Sequence, residues 1–414
     1  MSVLLVDLHD DGHHLEFASN LLGGLSDTFP DRTIDFLMPS QRKIHKQYFA
    51  PGEVTYMYDH DVSARLKVNS IRDNISRVLN KPRNELVRNV TSYTDGYDIV
   101  HFLHADDILG ELNSHGTSID AIVFANLIGG FFQQTKFRAQ VANRIISTGF
   151  DDVVAAGIPD ILSRRSPWDL LDLSRALQHN AIDDVFLNSE PGRQLVRSAL
   201  QVENVKLPPI PDPVPAWFEK DVSRTNARQA LGLPADEFVL TYFGEIRAEK
   251  GVDILLDALK RYKGPALTCV IAGNPKYLDP SDIVVENERI SLQSALEYIP
   301  QEDVRTYYSA ADCVVLPYRQ SFGEYRRSGT FQKACTAGRP VIAPAFGQFA
   351  DLTVKHNLGV TFEPGSADDL AKVIEQAVKA NAKIYDEKQM REYAQHHTYT
   401  KLVDITASLY REYL

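Results

Sequence analysis

Short apolar segments alternate with stretches of helical periodicity along the whole chain, and they fall into two runs. In the first half the apolar segments lie at residues 2–8, 34–38, 97–103, 119–125, 153–156 and 185–187. In the second half they lie at 238–243, 267–272, 289–292, 312–316, 340–343 and 359–362. Apolar runs of this length between amphipathic helices predict parallel strands covered by helices on both faces. Residues 55–91 break the rhythm: rich in Arg, Asn and Ser, they predict polar helices on the surface. At the end of the chain Leu402, Ile405, Leu409 and Leu414 recur at helical spacing and predict a last helix that packs back onto a domain.

Between the two runs, the stretch from Leu207 to Pro215 packs five prolines into nine residues. Proline cannot continue a helix, so this is an extended linker and the place to divide the chain. With 414 residues, two domains plus a linker fit the usual domain size of about 150 residues. The expected organisation is a Rossmann-like domain over 1–207, a Pro-rich linker over 208–220, a second Rossmann-like domain over 221–395, and a C-terminal helix, 396–414, returning to the first domain.

Composition narrows the function classes. Apolar residues make up 44% and charged residues 24%, the balance of a globular protein with a sizeable core. The formal net charge of -11 makes the molecule as a whole repel nucleic acid and anionic lipid, so an anionic ligand needs a local basic patch. No apolar stretch approaches the ~20 residues of a membrane helix, which leaves peripheral membrane contact open. Cys269, Cys313 and Cys335 lack metal-ligand spacing and read as buried thiols of a cytoplasmic protein. The start of the chain meets Asp and His too soon for a signal-peptide core. Paired acids such as Asp106-Asp107 and Asp183-Asp184 place like charges side by side rather than converging from separate elements, so no metal site is expected.

Neither G-x-G nor G-x-x-x-x-G-K-[ST] occurs, which argues against a dinucleotide oxidoreductase and a P-loop NTPase. The strongest local feature is Tyr242-Phe-Gly-Glu-Ile-Arg-Ala-Glu-Lys-Gly-Val252. A strand ends there at Gly244, a helix begins near Gly251, and Arg247 and Lys250 lie between. Two cations at the carboxyl end of a parallel strand, ahead of a helix N-terminus, suit a diphosphate clamp. Solvated loop residues pairing with Glu245 and Glu249 explain the same segment equally well. A second helix start, Arg326-Arg-Ser-Gly-Thr-Phe-Gln-Lys-Ala334, follows the strand at 312–316. Gly329 allows close backbone approach, and Ser328 and Thr330 offer hydroxyls beside Arg326; an ordinary Ser N-cap is the simpler alternative. In the first half Gly12-His13-His14 opens a helix after the first strand. His101 falls inside a later strand as a packing residue, and His104, beyond the strand end, is the better candidate to touch a polar ligand.

These segments, taken in order, resemble the family 4 retaining glycosyltransferases of the GT-B fold, the glycosyl transferases group 1. The likeness runs through Val185-Phe-Leu-Asn-Ser-Glu190, Ile210-Pro-Asp-Pro-Val214, Leu231-Gly-Leu-Pro234 and Phe243-Gly-Glu-Ile-Arg-Ala-Glu-Lys-Gly251. It continues through Val270-Ile-Ala-Gly273, Tyr298-Ile-Pro300, Ala311-Asp-Cys-Val-Val-Leu-Pro-Tyr318 and Ala337-Gly-Arg-Pro-Val-Ile-Ala343. The resemblance implies two Rossmann-like domains facing each other across a cleft, and a hexosyltransferase that works with retention and without an essential metal or other cofactor. It implies a nucleotide-diphosphate sugar of UDP or GDP type as donor; the acceptor, a glycan, lipid or small molecule, is not identified by it. By the same resemblance Arg247 and Lys250 neutralise the diphosphate, backbone near Tyr298 and Ile299 receives the base, and the Ser328-Gly329-Thr330 turn cradles phosphate. Gly12, Gly244, Glu324, Arg326 and Lys333 join the donor contacts, and His104 approaches the donor sugar.

The chain departs from that pattern at the family's two glutamates eight positions apart, where Tyr325 and Lys333 stand. A carboxylate accepts hydrogen bonds from both ribose hydroxyls, whereas Lys only donates. Gln332 or Glu324 are the nearest substitutes. Glu245 also stands where the family usually has its first cation, leaving that work to Arg247. An active enzyme is therefore the leading expectation, a sugar-nucleotide-binding or scaffold subunit of the same fold the second, and an epimerase or phosphorylase the third.

Overall fold

The structure is a computed structural model that describes residues 2–7, 13–58, 93–94, 96–103, 121–124, 184–186, 209–220, 222–322 and 328–413, with backbone only at 13–14, 121–124 and 185. The described residues form two compact units. Among these residues, one unit takes those up to Ile210 together with Tyr399 onward; the other takes those from Pro211 to Thr398. Elements are numbered among the described residues.

The first unit is built on a parallel sheet of β1 (Ser2–Val6), β2 (Thr33–Ser40), β3 (Thr55–Tyr58), β4 (Ile99–Phe102), β5 (Ala121–Phe124) and β6 (Asp184–Val185). The order across the sheet is β3-β2-β1-β4-β5-β6. Residue 55 onward, expected as polar helix, begins instead with β3. Thr-Tyr-Met-Tyr has the β-branched and aromatic content of a strand, and it pairs in parallel with the edge of β2. The rest of that stretch, and the segment at 153–156, lie outside the described residues. Helix α1 (His13–Thr28) packs on β2, and its Leu15, Leu21 and Leu25 enter one core with Val3, Leu5 and Phe36.

The second unit repeats the plan. Its elements are α2 (Arg224–Ala230), β7 (Phe238–Phe243), α3 (Val252–Arg261), β8 (Leu267–Ala272), β9 (Ile290–Ala295), α4 (Gln301–Ala310) and β10 (Cys313–Val315). They continue with α5 (Gly329–Thr336), β11 (Val341–Pro344), α6 (Gly347–Lys355), β12 (Gly359–Phe362), α7 (Ala367–Lys379) and α8 (Glu387–His396). The sheet order is β12-β11-β10-β7-β8-β9, all parallel. Both sheets thus share the order of nucleotide-binding Rossmann sheets, which reverses direction beside the first strand. Every residue of β8 is buried, as a strand covered on both faces requires. Strand β9 reaches to Ala295, three residues past the apolar run in the sequence, because its polar Gln293 and Ser294 still ladder onto Val270 and Ile271.

The last helix, α9 (Tyr399–Glu412), belongs to the first unit and lies along α1. Leu402 and Leu409 are buried in that unit's core and Ile405 packs against it. The approach is close at Gly24, where a Cβ would stand 2.4 Å from Val403 Cγ2. His101, on β4, is fully buried and its Nδ1 lies 2.6 Å from the Tyr410 hydroxyl, which ties α9 to the sheet.

The described residues of the second unit include a buried ionic knot. Arg228 on α2 is 2% exposed, donates to the carbonyls of Pro234, Ala235, Glu237 and Ala310, and pairs with Asp312 at 2.6 Å. Asp312 in turn accepts from the Val239 amide at the start of β7. Without Arg228, Asp312 keeps Arg224, whose Nη2 lies 2.9 Å from Oδ1, but the four carbonyls lose their donor and the buried half of the ionic network is broken, and such losses cost several kcal/mol. Arg228→Met is expected to lower unfolding free energy by about 3–5 kcal/mol, read from urea denaturation.

Candidate diphosphate site at the ends of β7 and β10

In an open sheet of this order the loops after the first and fourth strands diverge to opposite faces and leave a crevice at the strands' carboxyl ends. In the second unit those strands are β7 and β10, and the two cationic segments singled out in the sequence follow them.

Strand β7 is followed by Gly244, whose φ of 123° suits glycine. A Cβ built there would stand 3.1 Å from Lys250 Nζ and 3.4 Å from Thr330 Oγ1. Residues 244, 250 and 330, from three segments, therefore meet at one point. Thr330 is fixed by donating to the Phe243 carbonyl at 3.1 Å. The turn beyond Gly244 is held from below: buried Tyr242 donates to the Glu245 carbonyl at 2.9 Å. Burial lifts that phenol far above its ordinary range, so it stays a donor. Ile246 bridges to Pro275 beyond β8, with its amide on the Asn274 carbonyl at 3.0 Å. Gly273 makes room for this, since a Cβ on it would stand 2.1 Å from the Gly244 carbonyl oxygen.

The two cations differ in state. Arg247 Nε lies 3.1 Å from Glu249 Oε1 and 3.9 Å from Glu245 Oε2, so the pairing alternative holds for this residue. At 35% exposure such a pair is worth about 0–1 kcal/mol, less than the ~1.5–3 kcal/mol of a hydrogen bond to a charged group. A phosphate can take the guanidinium over. Among the described residues no carboxylate pairs with Lys250. Its ammonium sits 5.5 Å from the centre of the buried Tyr318 ring.

On the other side of the crevice Ser328 is the N-cap of α5, accepting from the Phe331 amide at 3.4 Å, and its hydroxyl lies 3.0 Å from that of Tyr318. The N-cap role is thus present. It leaves the first-turn amides of Gly329 and Thr330 at the helix N-terminus, where the dipole favours anions. A Cβ on Gly329 would stand 3.6 Å from Lys333 Nζ, so Lys333 folds back along the helix to this same turn. The two loops lock together through Arg319, which sequence reasoning missed. It donates to the Ala248 carbonyl at 2.6 Å and to Asp253 Oδ1 at 2.9 Å. Burial works to raise the Asp253 carboxyl, but bonds from Arg319 and from backbone amides outweigh it and hold the group below the usual carboxylate range. This contribution to stability is present above the unfolded value of about 3.9 and is lost as pH falls through the lower folded value.

Tyr298 and Ile299 lie after β9, two strand spacings or about 10 Å from β7. Ile299 is buried under the sheet end with Ala272 and Leu316, while the Tyr298 ring is 78% exposed. Gly12, His104, Glu324 and Arg326 lie outside the described residues.

Residues 223–397 match the family model described as Glycosyl transferases group 1, and the second unit is a domain of that family. The D-inositol 3-phosphate glycosyltransferase of Mycobacterium tuberculosis H37Rv is 34% identical over 131 residues, a stretch covering 30% of this chain and 26% of that relative. The same enzyme from Mycobacterium bovis aligns to the same extent. The chain spans about a quarter of the length of the curated relatives it matches. Among solved structures, HepE of Anabaena in complex with UDP is similar with a TM-score of 0.66 at 16% identity, over 100% of both chains. Sucrose-phosphate synthase from Thermosynechococcus elongatus gives 0.63 at 16% identity, over 100% of this chain and 98% of that one. These likenesses establish the α/β fold of two Rossmann-like units.

Gly251 tests how tightly the site is built. Its φ is 65°, and a Cβ would stand 2.0 Å from the Pro317 carbonyl oxygen. Gly251→Ala is expected to lower unfolding free energy by about 2 kcal/mol or more in urea titrations.

Proposed function

We propose that this chain, whose residues 223–397 form a group 1 glycosyltransferase domain, is a retaining, metal-independent transferase that moves a hexose from a nucleotide-diphosphate sugar to a glycan, lipid or small-molecule acceptor. The observation that carries the reading is the meeting of Lys250, Thr330 and Gly244 at the switch point of the sheet. As the glycosidic bond to the donor breaks, negative charge grows on the departing diphosphate. Lys250, Arg247 released from Glu249, the Thr330 hydroxyl and the first amides of α5 answer that charge from fixed positions. The base then runs toward the Tyr298–Ile299 backbone, and UDP, the ligand named for HepE of Anabaena, is the first donor nucleotide to try. The three free, buried thiols suit work in the reducing cytoplasm.

One observation favours a second reading, a binding or scaffold subunit with weak turnover: Lys333 stands where the family carries a carboxylate, and its ammonium lies at the turn that would hold phosphate. Turnover by the purified chain separates the two.

Alanine at Arg247 or Lys250 removes charge-assisted bonds to a group whose charge rises during departure, so kcat should fall with kcat/KM, by about 100-fold or more. Lys250→Arg should not restore the rate, because a planar fork does not fit the place of a compact ammonium between Gly244 and Thr330. Near-normal transfer by the double alanine variant would put the donor elsewhere. With protein cations and a helix N-terminus serving the leaving group, transfer should persist in excess chelator; loss of transfer in chelator and its return with Mg2+ would refute metal independence.

A further inference from the structure

The residues after β10 form a bracket around the turn that carries the cations. The Pro317 carbonyl packs on Gly251, the Tyr318 ring lies beneath Lys250, and Arg319 reaches the turn itself. The Arg319 amide donates to the Glu249 carbonyl at 2.9 Å. Its Nη1 donates to the Ala248 carbonyl at 2.6 Å and to Asp253 Oδ1 at 2.9 Å, while Nη2 bonds the other oxygen of Asp253. Ala248 and Glu249 belong to the single turn Ala248–Lys250 that follows Arg247. The guanidinium is thus spent on protein groups, and the groups it holds are the backbone from which both cations project.

We infer that Arg319 is a positioning residue, which fixes the 248–250 turn through its Asp253-bound fork and so sets where Arg247 and Lys250 present their charge to a diphosphate. This rests on the donor reading given above. The bond pattern explains why an arginine is needed. A planar fork meets both oxygens of Asp253 and still places one N–H on Ala248, a geometry that a lysine ammonium cannot reproduce. Displacement of a charged group by about 1 Å is enough to cost ~100-fold in a preorganised site, so a small sag of this turn matters.

The test is titration calorimetry of the full chain with UDP and with GDP, each alone, at a temperature where circular dichroism shows every variant folded. Arg319→Met should weaken the better-bound nucleotide about tenfold, and Arg319→Lys should recover little of that. In the Arg247→Ala, Lys250→Ala background the further change Arg319→Met should cost no more than about twofold, since no cation remains to misplace. If Arg319→Met does not fold, Asp253→Asn, which loosens the fork and keeps the arginine, should show the same loss and the same dependence on background. An undiminished tenfold loss in the double-alanine background would make Arg319 an independent ligand and overturn the inference. Native-like binding by Arg319→Lys would overturn it too, by reducing the role to charge. Should neither nucleotide bind the native chain, or should the double alanine change leave binding intact, the diphosphate assignment itself fails. If that change weakens binding while Arg319→Met does not, only the positioning role fails.

Discussion

At Gly251 the backbone has no room for a methyl group, because the Pro317 carbonyl oxygen occupies the space where a Cβ would go. That contact sets how near the loop after β10 can come to the loop after β7, and the candidate site depends on it. Only at this separation does Tyr318 lie under Lys250 and Arg319 reach the Ala248 carbonyl. The same economy recurs one strand away, where Gly273 lets the Gly244 carbonyl settle against it. Three strand ends are thus packed backbone against backbone, and the side chains that rise from them have little freedom to drift.

The charge arrangement follows from this packing. The chain as a whole is strongly acidic, so an anion is attracted here only by local fields. Lys250 stands over the Tyr318 ring, and among the described residues no carboxylate pairs with it, which keeps its charge available. Arg247 is paired, but with half-exposed glutamates whose grip is weak by comparison with a phosphate. Arg319 is the opposite case, committed on both sides of its fork to Asp253 and Ala248. Three cations in one neighbourhood therefore serve different ends, and their partners rather than their charges distinguish them.

Much of this was legible in the sequence and some was not, for reasons tied to range. Strands β7 and β8 coincide with their apolar runs because buried parallel strands must be apolar on both faces. Strand β9 ran on past its apolar run, since its polar end is fixed by the ladder to β8 rather than by burial. Gly244, Lys250 and Thr330 were readable as candidates from local rules about strand ends and helix starts. That they touch is a fact of topology, decided by the sheet order that places β10 beside β7. Arg319 gave no local signal at all: its partners lie 66 and 71 residues away in sequence. The pairing of Arg247 with Glu249 illustrates the converse, a short-range alternative that the sequence posed and the structure realised for one cation of the two.

The departure at Lys333 takes on a different aspect in three dimensions. Four residues after Gly329 on α5, its side chain runs back toward the N-terminus, as helix geometry directs long side chains, and its ammonium arrives beside Gly329. A carboxylate at the same position would bring negative charge to the turn where the helix dipole is positive, and would repel a nearby phosphate while gripping ribose hydroxyls. A lysine reverses both terms. It gives up acceptor capacity toward a sugar ring and adds positive charge to a turn already suited to anions. On the proposed donor reading the exchange is not a simple loss, because the same reach along the helix shifts binding strength from ribose toward phosphate. A chain built in this way should depend more on the diphosphate, and less on the ribose, than relatives that keep the carboxylate.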